Sequence, residues 1–469
     1  MSSEWGKGVQ SAVDDHQCSR RSLSLRIELM RGIATFQCSM RSRVRVFSGL
    51  LLVAMSSACH GLLDVSDPTL VRDPDVANAA GADARRSNVV SILDFNAPFL
   101  AENVARFTDE WVRDAPISHA DFLDERDSQG YEQSQGTSDN QLGLWDQVYW
   151  QTSIAIPAVR AYTPDSLKSD FLGQLYGIRG YAVLQIAEDI CPGFPLNDVT
   201  AENQPIFSGP LTTDSALVIA NAQLDSAVKY AHDSVRFVTL AAVAKGRALL
   251  DQGKYAEAAA AVSSVATSDV YATTGDNNNM GGDMNGYPWD VGGFNFAVGD
   301  VEGTNGMPFV SAHDPRVPTV FGGVRAMNPA DSLYRAANLT RSAPMVLASG
   351  IEARLIEAEA AINAGDPNWL TILNTLRESI GMADLTDPGT TTAQIDLLYR
   401  ERAFWLYGTG RRLGDLRRLI KNYGRDPESV FPTGSFALGG TYKGATAIPF
   451  ILASQRLSNP HITTGCTTR

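Results

Sequence analysis

The chain has 469 residues, of which 44% are hydrophobic and 19% are charged, and its net charge is −13. This composition is that of a globular protein long enough to bury one or two cores, so general disorder is not expected. No basic stripe with interleaved aromatic residues occurs, and an acidic body repels a phosphate backbone, so nucleic-acid binding is excluded as an expected function.

The first predicted element is an export signal at residues 40–58. Arg41, Arg43 and Arg45 form a positively charged start, and a short apolar run at 46–55 follows them. This order is typical of a secretory signal peptide. Residues 1–39 show neither helix caps nor periodicity, and we interpret them as an upstream extension that the mature protein lacks.

Cys59 follows the signal directly, in the tripeptide Ser57-Ala58-Cys59. Two small residues before a cysteine resemble the lipobox of bacterial lipoproteins, in which the thiol is acylated and the bond before it is cleaved. We therefore expect Cys59 to be the lipid anchor, because several acyl chains hold a folded domain at a membrane. The alternatives are a signal peptide with a coincidental cysteine and a short buried helix. No later segment is long and apolar enough to span a membrane.

Four amphipathic helices are predicted in the first half of the mature chain. Apolar residues recur there at every third or fourth position, as on the buried face of a helix. The helices cover about residues 79–107, 144–161, 166–190 and 213–232, and a polar stretch at 109–140 separates the first two. Cys191-Pro192-Gly193 ends the third helix.

Residues 240–265 match a helical hairpin of the tetratricopeptide type. Gly246 is the small residue at which the two helices approach, Gly253 turns the chain, and Tyr255 belongs to the contact that closes the pair. Residues 353–381 are a looser second candidate. A lone hairpin cannot cover its own apolar face, so we expect the other helices to stack on these two.

Residues 269–343 differ from the rest because they are rich in Gly, Asn, Asp and Pro and have no helical period. We expect a long irregular loop region here. Irregular segments of this length inside a compact protein are uncommon and are usually functional when they are ordered.

The stretch ERAFWLYGTGRRLGDLRRL, at residues 401–419, resembles the C-terminal signature of the SusD/RagB family of outer-membrane nutrient-binding lipoproteins. Other segments follow in the family's order: LLDVSDP after the anchor, then LWDQVYWQTSIAIP and GIRGYAVLQIAEDICPGFPL, and later HDPRVP, PMVLASGIEARLIEAEA and AIPFILASQRLSNPH. The resemblance covers residues 59–469. The sequence departs from the family pattern at Leu413-Gly414 and at 191–194. These departures place the chain on a divergent branch of the family, and they leave the class of its ligand open.

The resemblance implies a mainly α-helical, SusD-like fold with tetratricopeptide-like helix hairpins and a long irregular loop region. It also implies a surface lipoprotein of a bacterial outer membrane that binds an oligosaccharide and delivers it to a SusC-like TonB-dependent transporter, without catalysis. A peptide-binding member of the same family, an all-helical glycoside hydrolase and a helical-repeat scaffold for protein interactions are the alternatives.

An oligosaccharide receptor needs an exposed aromatic face beside amide or carboxylate groups, because a sugar offers a flat C–H face edged by hydroxyls. The loop region contains residues that fit this description, namely Tyr287, Trp289, Phe294 and Phe296 with Asp290, Asn285 and Asn295 beside them. Trp111 is a further candidate, because family members bind through this early segment. The alternative for all the aromatic residues is that they pack the loop onto the helices.

Neither a metal nor a cofactor is expected. The six histidines form no close pair, no cysteine spacing suggests zinc, and neither a P-loop nor a GxSxG motif occurs. Calcium bound by residues 276–279 and Asp283 is an alternative, although the spacing is not that of an EF-hand.

The charged residues at 401–418 are expected to form ion pairs that fix the last helices, with an anionic ligand as the alternative.

Overall fold

The computed structural model of the protein describes residues 76–113, 121–133, 141–274, 296–325, 328–339, 343–452, 455 and 458–467. The predicted export signal and Cys59 lie outside these residues. No helix within the described ranges combines the length and the apolar character that crossing a bilayer requires.

Helices dominate the described part of the chain, as the sequence predicts. They are α1 (Ala79–Phe107), α2 (Asp121–Asp124), α3 (Ser128–Gln133), α4 (Gln141–Tyr162), α5 (Asp165–Asp189), α6 (Thr213–Tyr230), α7 (Val235–Asp251), α8 (Tyr255–Val262), α9 (Gly350–Ala364), α10 (Asn368–Glu378), α11 (Thr391–Trp405), α12 (Arg412–Tyr423) and α13 (Pro427–Val430). The mainly α fold class is therefore confirmed.

Eight short strands accompany the helices in the described residues. They are β1 (Trp111–Arg113), β2 (Asp198–Val199), β3 (Pro205–Ile206), β4 (Val270–Ala272), β5 (Phe296–Val298), β6 (Thr319–Arg325), β7 (Asn328–Ala336) and β8 (Val346–Ser349). They form four antiparallel pairs, β1 with β5, β2 with β3, β4 with β8 and β6 with β7. Two of these pairs, β1 with β5 and β4 with β8, join segments that are distant in sequence.

The helix boundaries follow from local capping chemistry. The side chains of Asn78 and Thr212 accept hydrogen bonds from the first turns of α1 and α6, and Ser349 does the same for α9. Such caps satisfy backbone N–H groups that have no partner inside the helix. Gly365 and Gly424 end α9 and α12 in the left-handed conformation that glycine adopts without strain.

Two helical hairpins are present, α7 with α8 at residues 235–262 and α9 with α10 at residues 350–378. Gly246 allows the close approach, because a Cβ at this position would lie 2.6 Å from Val262 Cγ1 and 3.2 Å from Ile356 Cδ1. Gly253 turns the chain between α7 and α8 with a φ of +71°. The first hairpin therefore packs directly against the second.

The region at 269–343 contains more regular structure than its composition predicts. Its described part includes the hairpin of β6 and β7, so the expectation of an irregular loop is wrong for residues 319–336. The reason is cross-strand pairing: Phe321 lies opposite Tyr334 and Val320 opposite Arg335, and such pairs stabilise a hairpin whose strands lack a strong local signal.

The charged residues at 401–418 form buried ion pairs, which is the interpretation that the sequence favours. Arg402 makes a bidentate contact with Asp415, with both N–O distances at 2.8 Å. Arg412 binds Asp109 at 2.7 Å and so ties α12 to the end of α1. Bidentate arginine pairs of this kind fix geometry as well as charge.

A disulfide that the sequence analysis did not predict joins Cys191 to Cys466 across 275 residues. It attaches the C-terminal segment to the end of α5, where the Thr467 N–H also donates to the carbonyl of Pro192 at 2.9 Å. The sequence contained a signal for this disulfide, because Cys191 and Cys466 are the only two cysteines that follow Cys59 in the chain.

Candidate functional site

A polar cleft of about 560 Å³ opens beside the β6–β7 hairpin. Its walls come from six separate parts of the chain: Val112 of β1, Val298 of β5 with the loop at 300–303, Val310, Arg325 of β6, residues 330–334 of β7, and Ser435 with Ala437. We call this the hairpin cleft. Most of its lining belongs to the region at 269–343 from which the sequence predicts binding.

The pairing of β1 with β5 builds the back wall of the hairpin cleft. Trp111 lies opposite Val298 in this pair, and its ring centroid is 6.1 Å from that of Phe296. Both side chains are buried, with exposed fractions of 4% and 6%. Neither ring offers the exposed face that the sequence analysis expected of it, so in this structure the packing alternative describes Trp111 and Phe296.

The other sequence-predicted site residues fall outside the described part of the chain. They are Cys59, Asn285, Tyr287, Trp289, Asp290, Phe294 and Asn295. Their roles remain predictions.

The loop after β5 holds Val301 in a strained backbone conformation, with a φ of +58°. A β-branched residue rarely has a positive φ, and such strain persists only where surrounding contacts enforce it. Here the Val301 N–H donates to the Met307 carbonyl at 3.0 Å, and the Met307 N–H donates to Asp109 Oδ2 at 2.9 Å. These bonds fix the position of the adjacent Glu302 at the cleft.

Carboxylates outnumber cations in the lining of the hairpin cleft. Among the described residues of the lining, Asp300, Glu302 and Asp331 are accompanied by one guanidinium, that of Arg325. Asp300 also organises the loop, because its Oδ1 accepts the N–H groups of Val310 at 3.2 Å and Ser311 at 3.0 Å. The cleft is therefore acidic.

Burial raises the pKa of the Glu302 carboxyl to about 7, and the negative charges of Asp109 and Asp300 act in the same direction. The backbone N–H of Asp300 and the charge of Arg325 oppose this rise in pKa. Desolvation disfavours the charged form of a carboxyl group, which is the main cause here. Glu302 thus lacks a cation that would fully compensate its charge.

Arg325 is almost fully buried, with 5% of its surface exposed. One of its terminal N–H groups donates to the carbonyl of Arg113, and its Nε lies 3.4 Å from Asp331 Oδ2. The Nε makes no hydrogen bond within the described residues. A buried donor in this state can be satisfied by an acceptor on a ligand.

The aromatic residues at the hairpin cleft are Tyr334 and Phe321, which the sequence analysis missed. Tyr334 lines the cleft, and Phe321 lies opposite it on β6 with 64% of its surface exposed. The two rings meet edge to face, with centroids 6.1 Å apart. The available sequence signal was an aromatic residue in each of the segments 319–325 and 328–336, but these segments had to be recognised as strands first.

Further cavities lie among the described residues. One of about 10 Å³ adjoins the β1–β5 pair, where Trp111, Phe296 and Leu339 line it, and it is too small for a sugar. A groove of about 910 Å³ lies between α8 and the α9–α10 hairpin, and a cavity of about 470 Å³ lies where α5, α6 and α12 meet. Among the described side chains, no group of three or more His, Cys, Asp or Glu is placed to hold a metal ion.

The helix hairpins and the short strand pairs define a mainly α-helical protein with a polar cleft on its strand and loop segments. No protein-family model matches the chain, and no curated protein matches it in sequence.

Solved structures do match. A SusD superfamily protein from Parabacteroides distasonis is 13% identical, with a TM-score of 0.61 over 82% of this chain and 98% of that one. One from Bacteroides thetaiotaomicron is 14% identical, with a TM-score of 0.60 over 83% and 99%. A SusD-like carbohydrate binding protein from Bacteroides vulgatus is 13% identical, with a TM-score of 0.54 over 83% and 93%. The chain therefore has the SusD-like fold, and the predicted resemblance is confirmed at the level of fold.

Proposed function

We propose that this chain is a SusD-like nutrient-binding protein and that an oligosaccharide binds in the hairpin cleft. The observation that carries the proposal is the combination of Tyr334 with carboxylates and an unsatisfied buried Arg325 donor in one cleft. The fold supports it, because one structure with the same fold is a SusD-like carbohydrate binding protein.

The chemistry of the cleft suits a sugar. A pyranose ring has a C–H face that packs on an aromatic ring, and Tyr334 with Phe321 provides such a surface. Hydroxyl groups at the ring edge donate to carboxylates and accept from guanidinium groups, and Asp331 and Arg325 supply both. Binding of this kind requires no catalytic group.

The predicted aromatic segment is proposed as a second wall of the same site. Trp289 precedes Phe296 by seven residues, a length of chain that reaches at most about 25 Å. Tyr287, Asp290, Phe294 and Asn295 belong to the same segment. We propose that these side chains complete the binding surface over the hairpin cleft.

Replacing Tyr334 by alanine is expected to weaken oligosaccharide binding by about 1–3 kcal/mol, on the scale of the loss of one stacking contact. Titration calorimetry of the mature protein with a panel of hexasaccharides measures this change. Tyr162→Ala is the matched control, since Tyr162 is 43% exposed at the end of α4 and lies away from the cleft. If the Tyr334→Ala variant and the unmodified protein bind with equal affinity, the oligosaccharide does not bind in the hairpin cleft.

Trp289→Ala tests the second wall in the same assay. A loss of affinity comparable to that of Tyr334→Ala supports the two-walled site, and an unchanged affinity restricts binding to the described cleft.

Chromatography of the oligosaccharides after incubation separates binding from hydrolysis. We expect their lengths to stay unchanged, and shortened products would favour the glycoside hydrolase alternative.

We further propose that the protein is anchored at the outer surface of a bacterial outer membrane through Cys59 and delivers its ligand to a SusC-like TonB-dependent transporter. The Cys191–Cys466 disulfide supports an exported protein, because disulfides persist in oxidising compartments. The lipobox-like Ser57-Ala58-Cys59 supports the anchor.

Mass spectrometry of protein isolated from intact cells is expected to find an N-terminal peptide that begins at Cys59 and carries acyl chains. Cys59→Ser should abolish this modification and release the protein from the membrane fraction, because membrane affinity scales with the buried acyl length. A bare thiol at Cys59 in the membrane-associated protein would contradict the anchor. Co-purification with a large barrel transporter tests the delivery step.

A further inference from the structure

We propose that the cavity of about 470 Å³ where α5, α6 and α12 meet binds a small monocarboxylate with an apolar body, and that Arg417 receives the carboxylate group. We call it the helix-end cavity, because the end of α5, the start of α6 and one face of α12 line it. It shares no lining residue with the hairpin cleft, so this site goes beyond the proposed function.

One face of α12 forms the floor of the helix-end cavity. Its lining residues there recur every three or four positions, so they lie on the same side of the helix. They are Gly414, Arg417, Arg418 and Lys421. The two arginines belong to the charged stretch at 401–418, for which an anionic ligand is the alternative to ion pairs. The contacts of each arginine decide between these two roles.

Arg417 is the arginine of α12 that pairs with no carboxylate among the described residues. Its Nη1 donates to the carbonyls of Ala187 at 3.0 Å and Ile190 at 3.3 Å, at the end of α5. Its Nε and Nη2 donate to no group within the described ranges, although the side chain is half-buried. Arg412 and Arg418, on the same helix, both bind carboxylates. Two donors of Arg417 therefore remain for a ligand.

The electrostatic state of Arg417 agrees with a missing anion. Burial lowers the pKa of its guanidinium, and the charges of nearby carboxylates oppose this only in part. Burial acts on Arg418 in the same direction, but its carboxylate partners outweigh it and raise the pKa. A ligand carboxylate would give Arg417 the compensation that Arg418 already has, because a guanidinium and a carboxylate match in a bidentate geometry.

The other charges that line the helix-end cavity are already balanced, since each lining carboxylate has a cation beside it. The pairs are Glu188 with Arg247 at 2.9 Å, Asp251 with Arg418 at 2.9 Å and Asp214 with Lys421 at 2.6 Å. Arg417 is thus the one unbalanced charge in the described lining. A single negative charge on the ligand balances it, whereas a phosphate dianion would be repelled by the three carboxylates.

The start of α6 adds a positive potential at the same cavity. Thr212 caps this helix of 18 residues, and Thr213 and Asp214, in its first turn, belong to the lining. Backbone N–H groups point outward at this end of a helix, and the helix dipole favours a negative group there. The helix start therefore supports the anion site that Arg417 defines.

The remaining walls of the helix-end cavity suit a hydrocarbon body. Their apolar residues are Ala187, Pro192, Leu217 and Ile420. The Cys191–Cys466 disulfide fixes the rim, since Pro192 and Thr467 of the lining follow its two cysteines in the chain. Small-molecule pockets of about 300–1,000 Å³ are typical, and most of their lining is apolar with a few polar groups that orient the ligand. A short branched carboxylic acid matches this combination.

Three ligands with the same branched carbon skeleton provide a matched test. 4-Methylpentanoate carries only a carboxylate, 4-methylpentanamide is its neutral counterpart, and leucine adds an ammonium group to the carboxylate. Titration calorimetry of the mature protein at neutral pH is expected to show 4-methylpentanoate binding at least about tenfold tighter than 4-methylpentanamide, since only the carboxylate pairs with Arg417. Leucine should bind more weakly than 4-methylpentanoate, and inorganic phosphate should not compete with it.

Variants assign this binding to the helix-end cavity. Arg417→Gln removes the charge but keeps a donor for the α5 carbonyls, so it should weaken 4-methylpentanoate binding at least about tenfold and amide binding less than about twofold. Arg400→Gln is the matched control, because Arg400 is exposed on α11 and does not line the cavity. Thr446→Trp fills the cavity from its rim without touching the charge, and it should abolish binding of both ligands. Thermal unfolding checks that each variant is folded.

Equal affinity for 4-methylpentanoate and its amide, or no binding of 4-methylpentanoate, overturns the inference. Binding that neither Arg417→Gln nor Thr446→Trp weakens also overturns it, because the ligand then lies elsewhere. Tighter binding of leucine would replace the monocarboxylate by a zwitterion, and competition by phosphate would replace it by a phosphate. Oligosaccharide affinity should be the same in Arg417→Gln and the unmodified protein, so failure of this inference leaves the proposed function in place.

Discussion

Replacing Arg418 by methionine is expected to lower the free energy of unfolding by about 3–5 kcal/mol, the scale for breaking a buried ion pair from one side. Arg418 is buried on α12, with its guanidinium 3.0 Å from Glu359, 2.9 Å from Asp251 and 2.8 Å from Asp415. Methionine preserves much of the side-chain volume but leaves these carboxylates with one cation fewer. Urea denaturation of the variant and the unmodified protein measures the difference.

The position of the network makes this loss large. Glu359 lies on α9, Asp251 ends α7 and Asp415 belongs to α12, so one guanidinium joins three helices. The Tyr399 hydroxyl, on α11, also lies 2.8 Å from Arg418 Nε. Contacts of this kind are worth more than surface pairs because neither water nor salt screens them.

Arg400→Met is the matched control for this substitution. Arg400 is exposed on α11, and its guanidinium lies 4.9 Å from the centroid of the Phe404 ring. Its loss should change the free energy of unfolding by no more than about 0.5 kcal/mol. An effect of Arg418→Met as small as that of the control would show that the buried network contributes little to stability.

Much of the helical framework could be predicted because its signals are local. The apolar period places α1, α4, α5 and α6 within a few residues of their observed bounds. Glycines mark the hairpin of α7 and α8, since Gly246 permits contact and Gly253 has a positive φ. Each of these signals lies inside the element that it specifies.

The candidate site could be predicted only as a region. Val112 on β1, Glu302 after β5 and Tyr334 on β7 meet because strands pair across the chain, and pairing of distant strands leaves no local pattern. Aromatic character also does not specify exposure: Trp111 is buried, whereas Phe321 is exposed. The sequence shows which residue types are present, but it does not show whether an aromatic residue packs in the core or faces a ligand.

Gly350→Ala is expected to lower the free energy of unfolding by about 3 kcal/mol or more, the upper range for overpacking at a site that cannot relax easily. Gly350 begins α9, and a Cβ there would lie 1.9 Å from the Ala266 carbonyl oxygen and 2.5 Å from Thr267 Cα. Both are backbone atoms, so no side-chain rotation can relieve the clash. Urea denaturation measures the effect.

The sign of the Gly350→Ala effect is itself informative. Helix propensity alone would favour alanine over glycine by about 1 kcal/mol, so destabilisation shows that the close approach of backbones outweighs it. The Gly350 N–H donates to the Asp269 carbonyl at 2.8 Å, and Ser349 pairs with Val270, so the clash would separate α9 from the chain that follows α8. In Gly209→Ala, the control, an added Cβ meets no atom within 4 Å, and its effect should be within about 0.5 kcal/mol. A stabilised Gly350→Ala variant would show that the two hairpins can move apart without loss, contrary to the packing described above.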